Sequence, residues 1–133
     1  MTSLTIIKIG GSVATNKEVV TSNLRQELLS EIFIHIKNWC DKNPNSRVVI
    51  VHGAGGYIHN LAKQYELTTT CVGNEGKKQN ALKVQKECKK QNKEIVSLGN
   101  FLGLKLISVP AHEVVTNDNA KIEKISTQQI QKN

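Results

Sequence analysis

One stretch of this sequence constrains its fold more than any other: an apolar run, Val48–Val51, leads into a turn made almost wholly of glycine, Gly53–Gly56. A continuous β-branched run bounded by glycine is typical of a strand buried on both faces, as in a parallel sheet. The next segment, Tyr57–Tyr65, has apolar residues at helical spacing. Because backbone N–H groups at the start of such a helix can hold phosphate, we predict a phosphate-handling site with His59 beside it.

A second glycine turn follows the first predicted strand. Thr5–Ile9 is β-branched at four of its five positions, and the tripeptide Gly10-Gly11-Ser12 comes directly after it. Lys8, inside this apolar run, lies either at a sheet edge with its ammonium in water or beside a ligand. The Gly-Gly-Ser turn favours the ligand, because it offers backbone N–H groups and a hydroxyl, although serine is also an ordinary turn residue.

Periodicity and turn residues predict the other elements. A polar loop at 13–21 precedes a helix from about 23 to 41, capped by Ser22 or Asn23. Its predicted inner face is Leu24, Leu28, Ile32, Ile36 and Trp39. A long helix is predicted from about 77 to 102, a third strand at 105–109, and then a loop with His112 and Thr116. An extended piece with Ile122 and Ile125 and the first turn of a helix at 126–130 follow.

The order of strand, helix and strand predicts parallel strands joined by right-handed crossovers. The predicted fold is therefore an α/β protein with a mainly parallel open sheet and helices on both faces. In such sheets the ligand crevice lies at the carboxyl ends of the strands. We expect both glycine turns and the His112 loop to open on that side.

Length and composition fit one ordinary globular domain. The chain has 133 residues, of which 38% are hydrophobic and 22% charged. No apolar run approaches the roughly 20 residues that a membrane-spanning helix needs, so no membrane contact is predicted. The three cysteines are odd in number and lack metal-type spacing, which favours reduced thiols in the cytoplasm.

The formal charge of +7 leaves two interpretations open, an attraction for small phosphorylated ligands or for nucleic acid. The excess is concentrated in the long helix, where Lys83, Lys86, Lys90 and Lys93 form a stripe. A solvated helix face is the ordinary explanation for such a stripe. No aromatic residue accompanies it to stack on bases, so nucleic acid is the less favoured partner.

Several standard motifs are absent. Gly73–Lys78 is too short between its glycines for a P-loop and lacks the Ser/Thr after the lysine. Ile58 occupies the third glycine position of the dinucleotide fingerprint. His52 and His59 have neither the spacing nor the partners of a metal site, and no Gly-x-Ser-x-Gly elbow occurs. No metal site is predicted.

The remaining motifs resemble a known family. Lys8-x-Gly10-Gly11-Ser12, Lys17 and His52-Gly-x-Gly-x-x-x-His59 occur in the order found in the amino acid kinase superfamily. The second histidine makes the pattern most similar to the isopentenyl phosphate kinases. The resemblance covers nearly all of residues 1–133, which correspond to the N-terminal lobe of such an enzyme without its C-terminal nucleotide lobe.

This resemblance implies an ATP-dependent kinase that converts isopentenyl phosphate to isopentenyl diphosphate. Lys8 would hold the ATP phosphates together with the backbone of Gly10, Gly11, Ser12 and Gly55. Ala54 would offer its backbone to the accepting phosphate, which His59 would also bind. Lys17 would stabilise charge in the transition state. Lys8, Lys17 and His59 are thus the implied catalytic residues.

The implied cofactors are ATP and the Mg²⁺ that accompanies it, the latter without a dedicated protein site. The implied partners are the small phosphorylated substrate and either a second copy of the chain or a separately encoded C-terminal half. The sequence leaves open whether the chain is active alone. The alternative function is a silent binding module that uses the basic helix at 83–93 to contact nucleic acid or an acidic partner.

One residue departs from the family pattern in a way that bears on the site. Gly56-Tyr57-Ile58 stands where the family has Ser-Phe-Gly. A side chain at position 58 is expected to hinder close approach of the backbone to a ligand. Ala54, in place of a frequent glycine, is a milder change.

Overall fold

The computed structural model describes residues 3–16, 24–67, 73–118 and 121–132. Lys17, the two predicted capping residues Ser22 and Asn23, and Cys71 lie outside these ranges. The described residues form these elements in chain order: β1 (Ser3–Ile9), α1 (Gly11–Ala14), α2 (Gln26–Lys42), β2 (Ser46–His52), α3 (Gly55–Gln64), α4 (Glu75–Phe101), α5 (Ala111–Val114), β3 (Val115–Asp118), β4 (Lys121–Ile125) and α6 (Gln128–Lys132).

The strands β1 and β2 form the parallel pair that the sequence predicts, with α2 in the connection between them. Their register runs from Ser3 opposite Ser46 to Ile9 opposite His52. The two strands therefore end at the same level, and the Gly53 N–H donates to the Ile9 carbonyl at 3.2 Å. As predicted, the two glycine turns leave the sheet side by side at its carboxyl edge.

The hydrophobic core lies between one face of this sheet and the helices α2 and α4. Leu29, Phe33 and Ile36 of α2 and Ile95 of α4 are buried. Partly buried strand residues pack against this cluster: Ile7, Val48 and Ile50. Apolar burial of this kind is the main favourable term that holds the helices on the sheet.

The opposite face of the sheet is open in the described chain. Leu4 and Ile6 are 60% and 66% exposed, and Val51 of β2 is 45% exposed. The prediction that the Val48–Val51 run is buried on both faces is therefore wrong for this chain. Continuous apolar character is typical of a strand that can be covered on both faces, but the described residues cover only one face of this sheet.

The start and inner face of α2 differ from prediction. The polar loop predicted at 13–21 begins inside α1, and α2 begins at Gln26 after Arg25, which makes no side-chain cap. Leu24 and Ile36 of the predicted inner face are buried as expected. Leu29 and Phe33 are fully buried where Leu28 and Ile32 were predicted, and these two are only half-buried, while Trp39 is 37% exposed. The helix carries two adjacent apolar stripes, one with Leu28 and Ile32 and one with Leu29 and Phe33. The stripe with Phe33 faces the core because Phe33 is the largest fully buried side chain.

The third predicted strand does not pair with the sheet. Residues 104–110 have no regular secondary structure, and none of the described strands pairs with them. The Asn100 side chain instead holds this segment: its Oδ1 accepts from the Leu106 N–H at 2.5 Å, and its Nδ2 donates to the Leu106 carbonyl at 3.3 Å. The side-chain amide of Asn100 thus makes the two hydrogen bonds to Leu106 that the backbone of a paired strand would otherwise make.

The C-terminal part forms a separate hairpin. The loop predicted at 111–116 is α5 followed by β3, which pairs antiparallel with β4. The extended piece predicted around Ile122 and Ile125 is β4, and the predicted helix start is α6. None of the helices that the structure describes is long and apolar enough to cross a membrane.

Candidate functional site

The two glycine turns border an open cavity of about 410 Å³ at the carboxyl edge of the sheet. This volume lies in the range of small-ligand sites. The lining residues come from the start of α1, from the β2–α3 connection and from the first turns of α3: Gly11, Ser12, Gly53, Ala54, Gly55, Gly56, His59 and Asn60. The structure therefore brings together most of the residues that the sequence predicts.

The walls of the cavity meet backbone to backbone. A Cβ on Gly11 would lie 2.6 Å from the Gly55 nitrogen, and one on Gly53 would lie 3.0 Å from the Gly11 nitrogen. Gly55 also has a positive φ of 74°. Residues with side chains rarely adopt this conformation, and real Cβ atoms are not found at 2.6 Å. These three glycines are required for the turns to touch.

The buried side chain of Thr15 stabilises the contact between the two turns. Its side chain is 2% exposed, and its Oγ1 donates to the Gly11 carbonyl at 2.8 Å. Its Cβ and Cγ2 occupy the space that a side chain on Gly55 would need. Thr15 therefore packs against both turns.

The helix α3 presents its N-terminus and His59 to the cavity. It begins at Gly55, two residues earlier than predicted, so the amides of Gly55 and Gly56 belong to its first turn. Such amides have no carbonyl partner within the helix and, with the helix dipole, attract anions. His59 lies one turn further along the same face and is exposed at the cavity.

Ile58 does not obstruct the site. Its side chain is 4% exposed and is absent from the cavity lining. Neighbouring helix positions point about 100° apart, so His59 faces the cavity while Ile58 packs into the protein. The expected hindrance at this position is therefore wrong.

The cavity suits an anion. None of the described residues that line it carries a carboxylate. The Arg25 guanidinium donates to the Ser12 carbonyl at 3.4 Å, which places a cation beside the α1 wall. Phosphate groups fit such a surface of backbone amides with no acidic neighbour. The described residues contain no group of three His, Cys, Asp or Glu side chains arranged to hold a metal ion.

Three predicted residues that the structure describes, Lys8, Gly10 and His112, do not line the cavity. Lys8 is exposed on the open face of β1 and does not line it. Lys17 is outside the described residues. His112, which the third-strand prediction places on this side, lies 3.6 Å from the Glu113 carboxylate and is not part of the lining.

Sequence reasoning missed Thr15, Asn60 and Arg25. Asn60 could have been found from its place beside His59 near the start of α3. Thr15 could be recognised only once the structure was known. A threonine hydroxyl can donate to the carbonyl of the residue four positions earlier, here Gly11, but this pattern alone does not indicate a site. No sequence signal indicates Arg25, because its approach to Ser12 depends on how α2 packs.

Comparisons with known proteins identify the family and the fold of this chain. The family model described as "Amino acid kinase family" matches residues 3–133. The isopentenyl phosphate kinase of Methanocaldococcus jannaschii is 41% identical over 66 residues, which are 47% of this chain and 25% of that protein. A solved structure described as "X-ray structures of isopentenyl phosphate kinase" superposes with a TM-score of 0.84 at 23% identity, covering 97% of this chain and 52% of the other.

The chain matches only part of the length of these relatives, but it shares their fold over that part. The chain spans about half the length of the solved kinase and a quarter of the curated one. Its α/β architecture, with a parallel sheet and helices, is that of the isopentenyl phosphate kinase fold over this part. The family model extends over nearly every residue, including both glycine turns and His59. The chain belongs to the amino acid kinase family.

Proposed function

We propose that this chain forms the acceptor side of an ATP-dependent kinase that phosphorylates a small phosphate monoester, most specifically isopentenyl phosphate. The observation that carries the proposal is the cavity in which the two glycine turns and His59 meet. The M. jannaschii relative, an isopentenyl phosphate kinase, supports the choice of substrate.

The proposed reaction needs little covalent chemistry from the protein. An oxygen of the acceptor phosphate attacks the γ-phosphorus of ATP, a new P–O–P linkage forms, and the bond to ADP breaks. The acceptor is already anionic, so no strong general base is required. The protein contributes position and positive or N–H groups around the transferring oxygens.

Each predicted residue has a role in this scheme. The backbone N–H of Ala54 and the ring of His59 bind the acceptor phosphate, and His59 orients it. Gly10, Gly11, Ser12 and Gly55 approach the ATP phosphates through their backbones.

Two lysines complete the proposed scheme. Lys8 contributes charge to the ATP phosphates after its long side chain swings from the open face toward the sheet edge. Lys17 stabilises the transition state. Both roles rest on the family resemblance.

A product assay tests the proposal. The chain is incubated with ATP, Mg²⁺ and isopentenyl phosphate, alone and with a C-terminal half supplied as a second polypeptide, and phosphorus NMR follows the diphosphate. Product in either format supports the kinase, whereas its absence in both rejects it. His59→Ala should lower turnover at least about tenfold, whereas His35→Ala, at an exposed position of α2, should not. Equal turnover in the two variants would reject the role of His59.

The basic helix supports a second candidate, a module that binds a nucleic acid or an acidic protein. Lys83, Lys86, Lys90 and Lys93 are exposed along α4, as predicted. Lys83 also lies 5.7 Å from the centre of the Tyr65 ring, the one aromatic contact near the stripe among the described residues. Nucleic-acid binding by this stripe would weaken steeply with added salt. No binding at low salt would remove this candidate.

A further inference from the structure

A chain of side-chain hydrogen bonds connects the glycine turn to the long helix behind it. The His52 ring Nε2 lies 2.9 Å from Oδ1 of Asn92, and Asn92 Nδ2 donates to Ser108 Oγ at 2.5 Å. His52 is the last residue of β2, Asn92 belongs to α4, and Ser108 lies in the irregular segment after α4. Three parts of the chain therefore meet at the residue that precedes Gly53.

The donors and acceptors in this chain determine where the ring proton lies. An asparagine side chain has one acceptor oxygen and one donor nitrogen. Asn92 uses its nitrogen toward Ser108, so its oxygen faces His52, and the His52 nitrogen at that position must carry the hydrogen. The other ring nitrogen lies 3.4 Å from the Gly53 carbonyl, on the turn itself.

The position of His52 affects the cavity directly. The Gly53 backbone packs against Gly11 so closely that an added Cβ would lie within 3.3 Å of two Gly11 atoms. A shift of the backbone at the end of β2 would move Gly53 against that wall. Displacements of this size matter in phosphoryl transfer, because the reacting groups must be held in line.

We propose that Asn92 is a positioning residue of the phosphate site. It holds His52 with its Nε2 protonated and thereby fixes Gly53 and the amides that follow it. Ser108 supports Asn92 from the other side. The proposal rests on the proposed function for its effect on phosphate binding, but the hydrogen-bond chain itself is testable without any ligand.

The first measurement is nitrogen–hydrogen NMR of the histidine rings. A ring N–H is seen only when a hydrogen bond shields it from exchange with water. The intact chain should show such a signal for His52, and Asn92→Leu should remove it. Asn92→Asp retains the acceptor oxygen and should restore the signal. A signal absent from the intact chain, or equally strong in Asn92→Leu, would overturn the proposal.

The second measurement is the affinity for isopentenyl phosphate. Asn92→Leu should weaken binding about tenfold, as expected for the loss of one hydrogen bond that holds a site in place. Ser108→Ala, at an exposed position, should fold normally and weaken binding less. Asn80→Ala is the matched control, because Asn80 lies on the same helix and bonds only Lys83 among the contacts described.

The two measurements separate this proposal from the proposed function. Unchanged affinity in Asn92→Leu, with the ring signal lost, would show a structural contact with no positioning role. If the intact chain binds no isopentenyl phosphate while its His52 signal is present, the proposed substrate is wrong and the positioning role is overturned with it. If Asn92→Leu does not fold, the affinities of Ser108→Ala and Asn80→Ala for isopentenyl phosphate are compared instead. A weaker affinity in Ser108→Ala supports the proposal, and equal affinities in the two variants overturn it.

Discussion

Gly11 and Gly55 touch through their backbones: a Cβ on Gly11 would lie 2.6 Å from the nitrogen and 2.8 Å from the Cα of Gly55. These residues come from different turns, 44 positions apart in the sequence. The parallel register of β1 and β2 brings them together, because it ends both strands at the same level. The cavity is thus a consequence of sheet geometry combined with glycine at both turns.

Gly11→Ala should force the two turns apart. We expect a loss of about 1–3 kcal/mol in the free energy of unfolding, the usual effect of inserting a methyl group into a closely packed region. Urea denaturation measures it.

Gly10→Ala is the matched control for this change. Its Cβ would meet only Val13 Cγ2, at 4.0 Å, and its φ of −61° suits alanine. It should change stability by no more than about 0.5 kcal/mol. Equal losses in the two variants would contradict the close contact between the turns.

Asn100→Ala should release the segment at 104–110. The variant removes both hydrogen bonds to Leu106, and we expect the Leu106 amide to exchange with solvent more than about tenfold faster. Hydrogen-exchange NMR measures this rate. Asn38→Ala, at an exposed position of α2, should leave it unchanged. An unaltered rate in Asn100→Ala would show that another group protects the segment.

The two faces of β1 should respond differently to the same substitution. Ile9 is 4% exposed and Ile6 is 66% exposed. Ile9→Thr should therefore cost about 2–3 kcal/mol of stability, because it removes core contacts and buries a hydroxyl. Ile6→Thr should change stability by no more than about 0.5 kcal/mol. Thermal unfolding compares them, and a large loss in Ile6→Thr would mean that a second copy covers this face in solution.

Cys88 should be a slow nucleophile. Burial in α4 raises the pKa of its thiol, and the neighbouring Glu87 carboxylate adds to the shift. Because the folded pKa lies above the unfolded one, this group's contribution to stability is complete below the unfolded pKa. It is lost as the pH rises through the alkaline range toward the folded pKa.

Thiol labelling against pH tests this direction. In a Cys40→Ser, Cys71→Ser background, Cys88 of the folded chain should reach half its maximal labelling rate at a higher pH than Cys88 of the urea-unfolded chain. Coincident curves would contradict the effect of burial.

Local patterns were enough to predict much of this fold. The β-branched runs, the glycines after them and the helical spacing of α3 and α4 identify the parallel pair and the edge where it opens. His59 could be identified because it follows the second turn at a fixed spacing. These features depend on short segments, whose geometry is set by neighbouring residues.

Other features depend on contacts between distant segments and could not be predicted in this way. The third predicted strand, around Leu106, is apolar enough to join a sheet, but Asn100 supplies its hydrogen bonds instead. The inner face of α2 follows Phe33 rather than Trp39 because core packing chooses between two adjacent apolar stripes. The sequence predicts that Ile58 obstructs the site, yet its position on α3 directs its side chain into the protein and away from the cavity.

A titration with isopentenyl phosphate, followed by amide NMR of the labelled chain, tests the central claim most directly. The account predicts saturable shifts at the amides of Gly11, Ser12, Ala54 and Gly55 and in the His59 ring, with sulfate at equal ionic strength producing much smaller ones. Shifts confined to the lysines of α4, or no saturable shift at about 10 mM ligand, the range of very weak binding, would contradict it.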